Sequence, residues 1–170
     1  QLAQEYIESR KLDIEKQPAF AVSRYCDQKG ELGFLLMDGT CGVLFADGSC
    51  MIIDPFCEFI QFYQTSKAMS PILIPMSKVD KSQKQFKKLM KIREALTANE
   101  SMFALPEVRP NPNSPLPLVR SWVKDETGRK LFKLSNQIIQ VNLENKVRVF
   151  VDYRSKVMIV FSASEKGKSF

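Results

Sequence analysis

Two stretches of this chain, offset by 98 positions, restrict its fold more than any other feature. The first, residues 35–54, reads LLMDGTCGVLFADGSCMIID, three short apolar runs broken twice by Asp-Gly. Asp-Gly between strand-like runs is a strong hairpin signal. The second reads KLSNQIIQVNLENKVRVFVDYRSKVMIVF. Laid over each other without gaps, Leu36 falls on Leu134, Val43 on Val141 and Asp47 on Asn145. Met51-Ile52-Ile53-Asp54 falls on Val149-Phe150-Val151-Asp152, and Phe62-Tyr63 on Val160-Phe161. Few positions are identical, but turn sits on turn and apolar on apolar. Two β-meanders of one design are therefore expected. Chance similarity between unrelated meanders is the plain alternative.

The segments around the repeats complete a plan. Leu2, Tyr6, Ile7, Leu12 and Ile14, spaced among polar residues, predict a helix over about 1–16. Prolines end it before a strand-like region, 20–74. Further on, Val79, Phe86, Leu89, Met90, Ile92 and Leu96 share one helical arc, with Lys81, Lys84, Lys87, Lys88 and Lys91 opposite. Ser82 and Gln85 suggest a capping box at that helix's start. Five prolines within LPEVRPNPNSPLPLV predict a semi-rigid linker. Val119–Val123 then opens the second strand block, with Trp122 where Tyr25 stood in the first. The order is helix, meander, helix, linker, meander, an α+β plan in which two sheets bury each other's apolar faces.

Composition narrows function. The chain has 170 residues, a net charge of +6 and no histidine. Without histidine, Ser-His and Cys-His dyads are excluded, and no GxGxxG, Walker or HRD motif occurs. Cys26, Cys41, Cys50 and Cys57 form no CxxC pair, which argues against a metal site. Cys41 and Cys50 fall on strand-like runs and read as small apolar residues in a reducing compartment, cytosol or nucleus. No run of about 20 apolar residues predicts a membrane span, and no signal-peptide pattern is seen. With Gln first, the chain reads as part of a longer protein. The positive charge favours an anionic partner, although a lysine-rich face is commonly just solvated. Nucleic acid is not expected, because no strand interleaves basic and aromatic residues as single-strand binders do.

At these residues the chain resembles the polo-box domain, the tandem polo boxes of polo-like kinases. LGFLLMDGTCGVLFADGSCMII is similar to the core of a first box, and LPLVRSWVKDETGRKLFKLSNQIIQVNL to the opening of a second. The resemblance implies a β-sandwich of two antiparallel sheets, each box six-stranded with a helix. It divides the chain into a cap helix (1–17), a first box (20–98), a linker (99–117) and a second box (118–170) without its C-terminal helix. It implies a non-catalytic module that docks a Ser/Thr kinase onto phosphorylated scaffold proteins during cell division, at centrosome, basal body or cytoskeleton. No cofactor is expected, ATP and Mg belonging to the parent's kinase domain. That kinase domain is a further candidate partner. The rival within the family is a platform that docks or dimerises without phosphate.

The resemblance also points to site residues. A basic pair, i and i+2 on a strand of the second box, grips the phosphate; here it falls on Lys146 and Arg148. The first is usually histidine in the family, so lysine is a departure that keeps charge without titrating near neutrality. At the corresponding first-box positions stand Gly48 and Cys50, so folding alone does not demand basic residues there. A peptide groove is expected along Phe20, Ala21 and Val22, with Ala21 or Phe20 in place of the family's first-strand tryptophan. Val22 would pair with the ligand backbone, and Met102 and Phe103 of the linker would line the groove.

Overall fold

A computed structural model describes residues 20–98, 103–143 and 146–162. The expected cap helix (1–17) and Met102 lie outside them. Six strands form the first sheet in chain order: β1 (Val22–Gln28), β2 (Glu31–Leu36), β3 (Cys41–Leu44), β4 (Cys50–Ile53), β5 (Phe59–Tyr63) and β6 (Ile72–Pro75). A 3-10 turn, Met76–Lys78, leads into helix α1 (Lys84–Thr97). The second sheet holds β7 (Val119–Lys124), β8 (Lys130–Leu134), β9 (Ile138–Asn142), β10 (Val147–Asp152) and β11 (Val157–Ser162), all antiparallel. The family resemblance implied six strands here; the described residues supply five.

Both Asp-Gly dipeptides make the expected hairpins. Gly48 lies at φ 85°, after a turn in which its N–H donates to the Phe45 carbonyl, and Ser49 N–H donates to Asp47 Oδ1 at 2.9 Å. This is a three-residue loop whose last position is left-handed, where glycine carries no Cβ penalty. The repeat holds in space. Phe34 pairs with Gly42, Gly42 with Ile52 and Ile52 with Gln61. At the 98-residue offset Phe132 pairs with Gln140, Gln140 with Phe150 and Phe150 with Ile159. β1 and β7 even break register alike, between Val22 and Arg24 and between Val119 and Ser121. Tyr25 and Trp122 occupy equivalent places.

The layers are α1, first sheet, second sheet. Alternation sends Leu35, Cys41, Val43, Met51, Ile53 and Ile60 toward α1, which covers them with Phe86, Leu89 and Leu96. The opposite side chains, among them Leu32, Phe34, Leu36, Ile52 and Tyr63, meet Leu118, Val119, Phe132 and Leu134 in an inter-sheet core. Each large side chain buried there contributes about 1.5–3 kcal/mol. Cys41 and Cys50 are free thiols, fully buried as small apolar residues. The expected lysines of α1 face solvent.

The expected capping box does not form. α1 begins one residue later than Ser82 suggests, with Gln83 at its N-cap and no side-chain cap. Ser82 instead gives its N–H and hydroxyl to Asp80 Oδ1, at 2.9 and 2.6 Å, in a tight Asx turn. Gln85 reaches Ser49 Oγ.

Buried amides and one guanidinium tie the boxes together. Gln61 Oε1 accepts from Leu116 N–H at 2.8 Å, while its Nε2 donates to the Ser114 and Pro112 carbonyls. The proline-rich segment is thus held against the first sheet. Arg120 Nη1 donates to the Ser66 and Ala68 carbonyls at 2.7 and 2.6 Å and stacks over Tyr63.

Candidate phosphopeptide cleft

The residues expected at the site are divided between the junction of the boxes and places remote from it. Arg148 lies on β10, half-buried, and its Nη2 donates to the Ser23 carbonyl on β1 at 3.1 Å. Burial pushes the guanidinium's pKa down, with Tyr25 nearby opposing. Arg148 is therefore seated between the boxes.

Lys146 precedes the strand. It is exposed, with φ 61°, at the loop position that Gly48 holds in the first box. The Leu143 N–H to Val147 carbonyl bond, 2.9 Å, closes this loop, as the Phe45 to Ser49 bond closes its counterpart. The spacing i, i+2 thus does not place both cations on one strand face. A bulky residue in this conformation costs roughly 1 kcal/mol, and such outliers cluster at functional sites.

The expected groove residues fare differently. Phe20 is half-buried and edges a small cavity of about 130 Å³ with Ile138, Phe150, Asp152 and Val157. Ala21 and Val22 are fully buried, a correction to their expected place along an open groove. The Ala21 carbonyl accepts from Met37 N–H. Val22 N–H donates to Gln140 Oε1 at 2.7 Å, and the Val22 carbonyl accepts from Gln140 Nε2 at 3.0 Å. The glutamine amide takes both backbone groups that a ligand strand would need. Phe103 is also displaced from the expectation: it packs with the α1-side core, over Gly39, because the Ala104 N–H to Met37 carbonyl bond turns the linker toward that side.

Sequence reasoning missed the aromatic residue at the junction. Tyr25 is half-buried, 5.2 Å between ring centroids from Phe132, with Lys130 Nζ 4.7 Å above its ring. Lys130 in turn pairs with Asp27 at 3.4 Å. The signal was present in the repeat, since Tyr25 is the counterpart of Trp122. Arg148, Tyr25 and Lys130 together make a cationic and aromatic edge where β1 meets the second sheet.

No helix among the described residues is long and apolar enough to cross a membrane. Among them, no group of three Cys, Asp or Glu is placed to hold a metal ion.

Comparisons with known proteins agree with this architecture. Residues 28–89 match the family model described as the POLO box duplicated region. No curated protein sequence matches the chain. Three solved structures of the Cdc5 polo-box domain from budding yeast share its fold. The one in complex with an Spc72 phosphopeptide has a TM-score of 0.68 at 17% identity, covering 92% of this chain and 59% of that one. The one in complex with the Dbf4 polo-interacting region has 0.60 at 12% identity, covering 86% and 60%. The domain alone has 0.57 at 14% identity, covering 86% and 64%. The chain therefore spans about six tenths of the length of those structures. Residues 28–89 thus match the POLO box duplicated region, and the chain as a whole shares the fold of the solved polo-box domains.

Proposed function

We propose that the chain is a non-catalytic docking module that binds phosphorylated Ser/Thr segments at the junction of its two boxes. Lys146 and Arg148 hold the phosphate, and Tyr25 supports the peptide beside it. The observation that carries this reading is Lys146: a lysine stands, exposed and left-handed, where the first box has Gly48. Folding favours glycine there, so the charge calls for another reason. Arg148 brings a planar fork suited to phosphate oxygens. Since the similar budding yeast domain was solved with a phosphopeptide, a phosphorylated scaffold protein is the partner class that fits. On this reading the parent protein is a polo-like Ser/Thr kinase acting in cell division, in the cytoplasm and at centrosome or basal body.

A second reading is favoured by one contact. Arg148 is already committed to the Ser23 carbonyl, which suits a platform that docks proteins without phosphate. Calorimetric titration with a phosphoserine peptide and its unphosphorylated copy separates the two. Each charge-assisted bond contributes about 1.5–3 kcal/mol, so Lys146→Ala/Arg148→Ala is expected to weaken phosphopeptide binding about a hundredfold or more. Lys81→Ala/Lys84→Ala removes the same charge from exposed positions near and on α1 and is expected to change little. Equal binding of both peptides would sink the phosphate reading and promote the platform.

A further inference from the structure

α1 carries an arginine where its packing pattern calls for an apolar side chain. Phe86, Leu89, Met90, Arg93 and Leu96 recur at three- and four-residue spacing, and the others of this set pack against the first sheet. Arg93 is half-buried, and its Nε is shut off from solvent with no hydrogen-bond partner. Its charge acts on the thiols of Cys41 and Cys57. Among the described residues no carboxylate forms an ion pair with it. The other flank of α1 is different. There Lys88 pairs with Glu31, and Arg24 donates to the Leu96 carbonyl. A buried donor left unmade is costly and rare in folded proteins.

Beside Arg93 runs an open groove of about 570 Å³. Phe86 and Met90 give it an apolar floor, and Lys87 and Lys91 join Arg93 along it. Two acids stand near. Glu94 lines the rim, and Asp80 is close enough to Lys87 to feel its charge; neither pairs with Arg93. An apolar floor edged by three cations, one with an unused buried donor, complements an apolar side chain flanked by carboxylates.

We propose that this groove binds an acidic peptide segment of a partner protein, with an apolar side chain on Phe86 and Met90 and a carboxylate on Arg93 between Lys87 and Lys91. It lies on the helix side of the first sheet, away from Lys146 and Arg148, and does not depend on the phosphate reading.

The test uses the whole 170-residue chain, labelled with nitrogen-15. The probe is the amidated peptide Asp-Leu-Phe-Asp-Glu-Leu, beside an isostere with Asn and Gln for its acids. A saturable shift of the Arg93 Nε–H signal and of amides in 86–97 is expected with the acidic peptide. The isostere should bind about tenfold more weakly or worse. Arg93→Lys keeps the charge but removes the Nε donor, and should lose about tenfold; Arg93→Met should lose more. The thermal midpoint of Arg93→Met should equal or exceed the parent's, because it removes an unpaired buried donor. A midpoint several degrees lower would overturn the proposal by showing that Arg93 is structural. Equal binding of the isostere, unchanged binding by Arg93→Met, shifts confined to the loop around Lys146, or no shift at millimolar peptide would each overturn it too.

Discussion

Gly42 and Gly48 of the first box occupy the positions that Gln140 and Lys146 hold in the second. The strands around them pair in the same register, so the backbone is common and the difference lies in the side chains. At Gly42 a Cβ would lie 2.4 Å from the far end of the Phe34 ring. In the second box the corresponding Phe132 leaves space, and Gln140 uses it to reach Val22 in the other sheet. At Gly48 a left-handed turn needs nothing but a turn; at Lys146 the same turn carries an exposed charge. At these positions the first box carries no side chain, and at Gly42 its own Phe34 ring takes the space. The second uses the same positions to reach its partner box, through Gln140, and to set a charge in solvent, at Lys146. Duplication supplied one scaffold, and the glycines mark where the two copies were free to differ.

That contrast can be broken most severely at Gln140. Gln140→Leu keeps the volume but leaves the Val22 N–H and carbonyl buried without partners. Each such group costs about 1–3 kcal/mol, so a loss of about 3 kcal/mol is expected in urea unfolding. A loss under about 1 kcal/mol would mean that the bridge between boxes carries little. Gly42→Gln, the reciprocal change, cannot rescue it, since the new side chain meets Phe34.

Alkaline pH probes the first box. Burial pushes the Cys41 and Cys50 thiols up to about 12. Their folded pKa is raised, so the stability they contribute is fully present below the unfolded value near 8.5 and is lost as pH rises toward 12. Between those limits each thiol is expected to remove about 1.4 kcal/mol per pH unit. Urea midpoints at pH 8, 9 and 10 measure this, and Cys41→Val should make the slope shallower by one thiol's share, Cys26 and Cys57 being raised by burial as well. A flat profile would show that the thiols ionise without unfolding the box.

The smallest effect sharpens the comparison most. Lys146→Gly gives the second box the residue of the first, and should stabilise the fold by about 1 kcal/mol while weakening phosphopeptide binding about tenfold. Stability and affinity moving in opposite directions would mark a position held for binding at the expense of folding. If both fell, Lys146 would have a packing role.

Much of the architecture is legible in the chain because it rests on local rules. Asp-Gly turns, alternation along strands and the spacing of Phe86, Leu89 and Leu96 each follow from the geometry of a few neighbouring residues. The 98-residue offset carried over even to register. The site was less legible, for three physical reasons. A glutamine side chain that imitates a strand, as Gln140 does at Val22, leaves no periodic trace. The direction of the linker depends on a backbone bond between Ala104 and Met37, which spacing does not encode. The third reason is the turn: the repeat makes Gly48 the counterpart of Lys146, but placing Lys146 on a strand leaves out the left-handed conformation that the repeat imposes on lysine as well. Asp80 outcompeted the Ser82 cap in a similar way, because an Asx turn two residues long forms more readily than a cap across a helix turn.

Val22 is separated from Gln140 by 118 residues, and Ser23 from Arg148 by 125. The ribosome releases them far apart in time. At roughly 5–20 residues per second, the strands that cover Phe34, Leu36 and Tyr63 follow the first box by about 5–20 s. Through that interval the nascent first sheet offers a bare apolar face and the unpaired edge of β1, the kind of surface that draws chaperones or a wrong neighbour. Two first boxes on neighbouring ribosomes could pair before either meets its own second box. The chain's yield in a cell is then governed by the length of its linker and the speed of its synthesis, as well as by the stability of the finished sandwich.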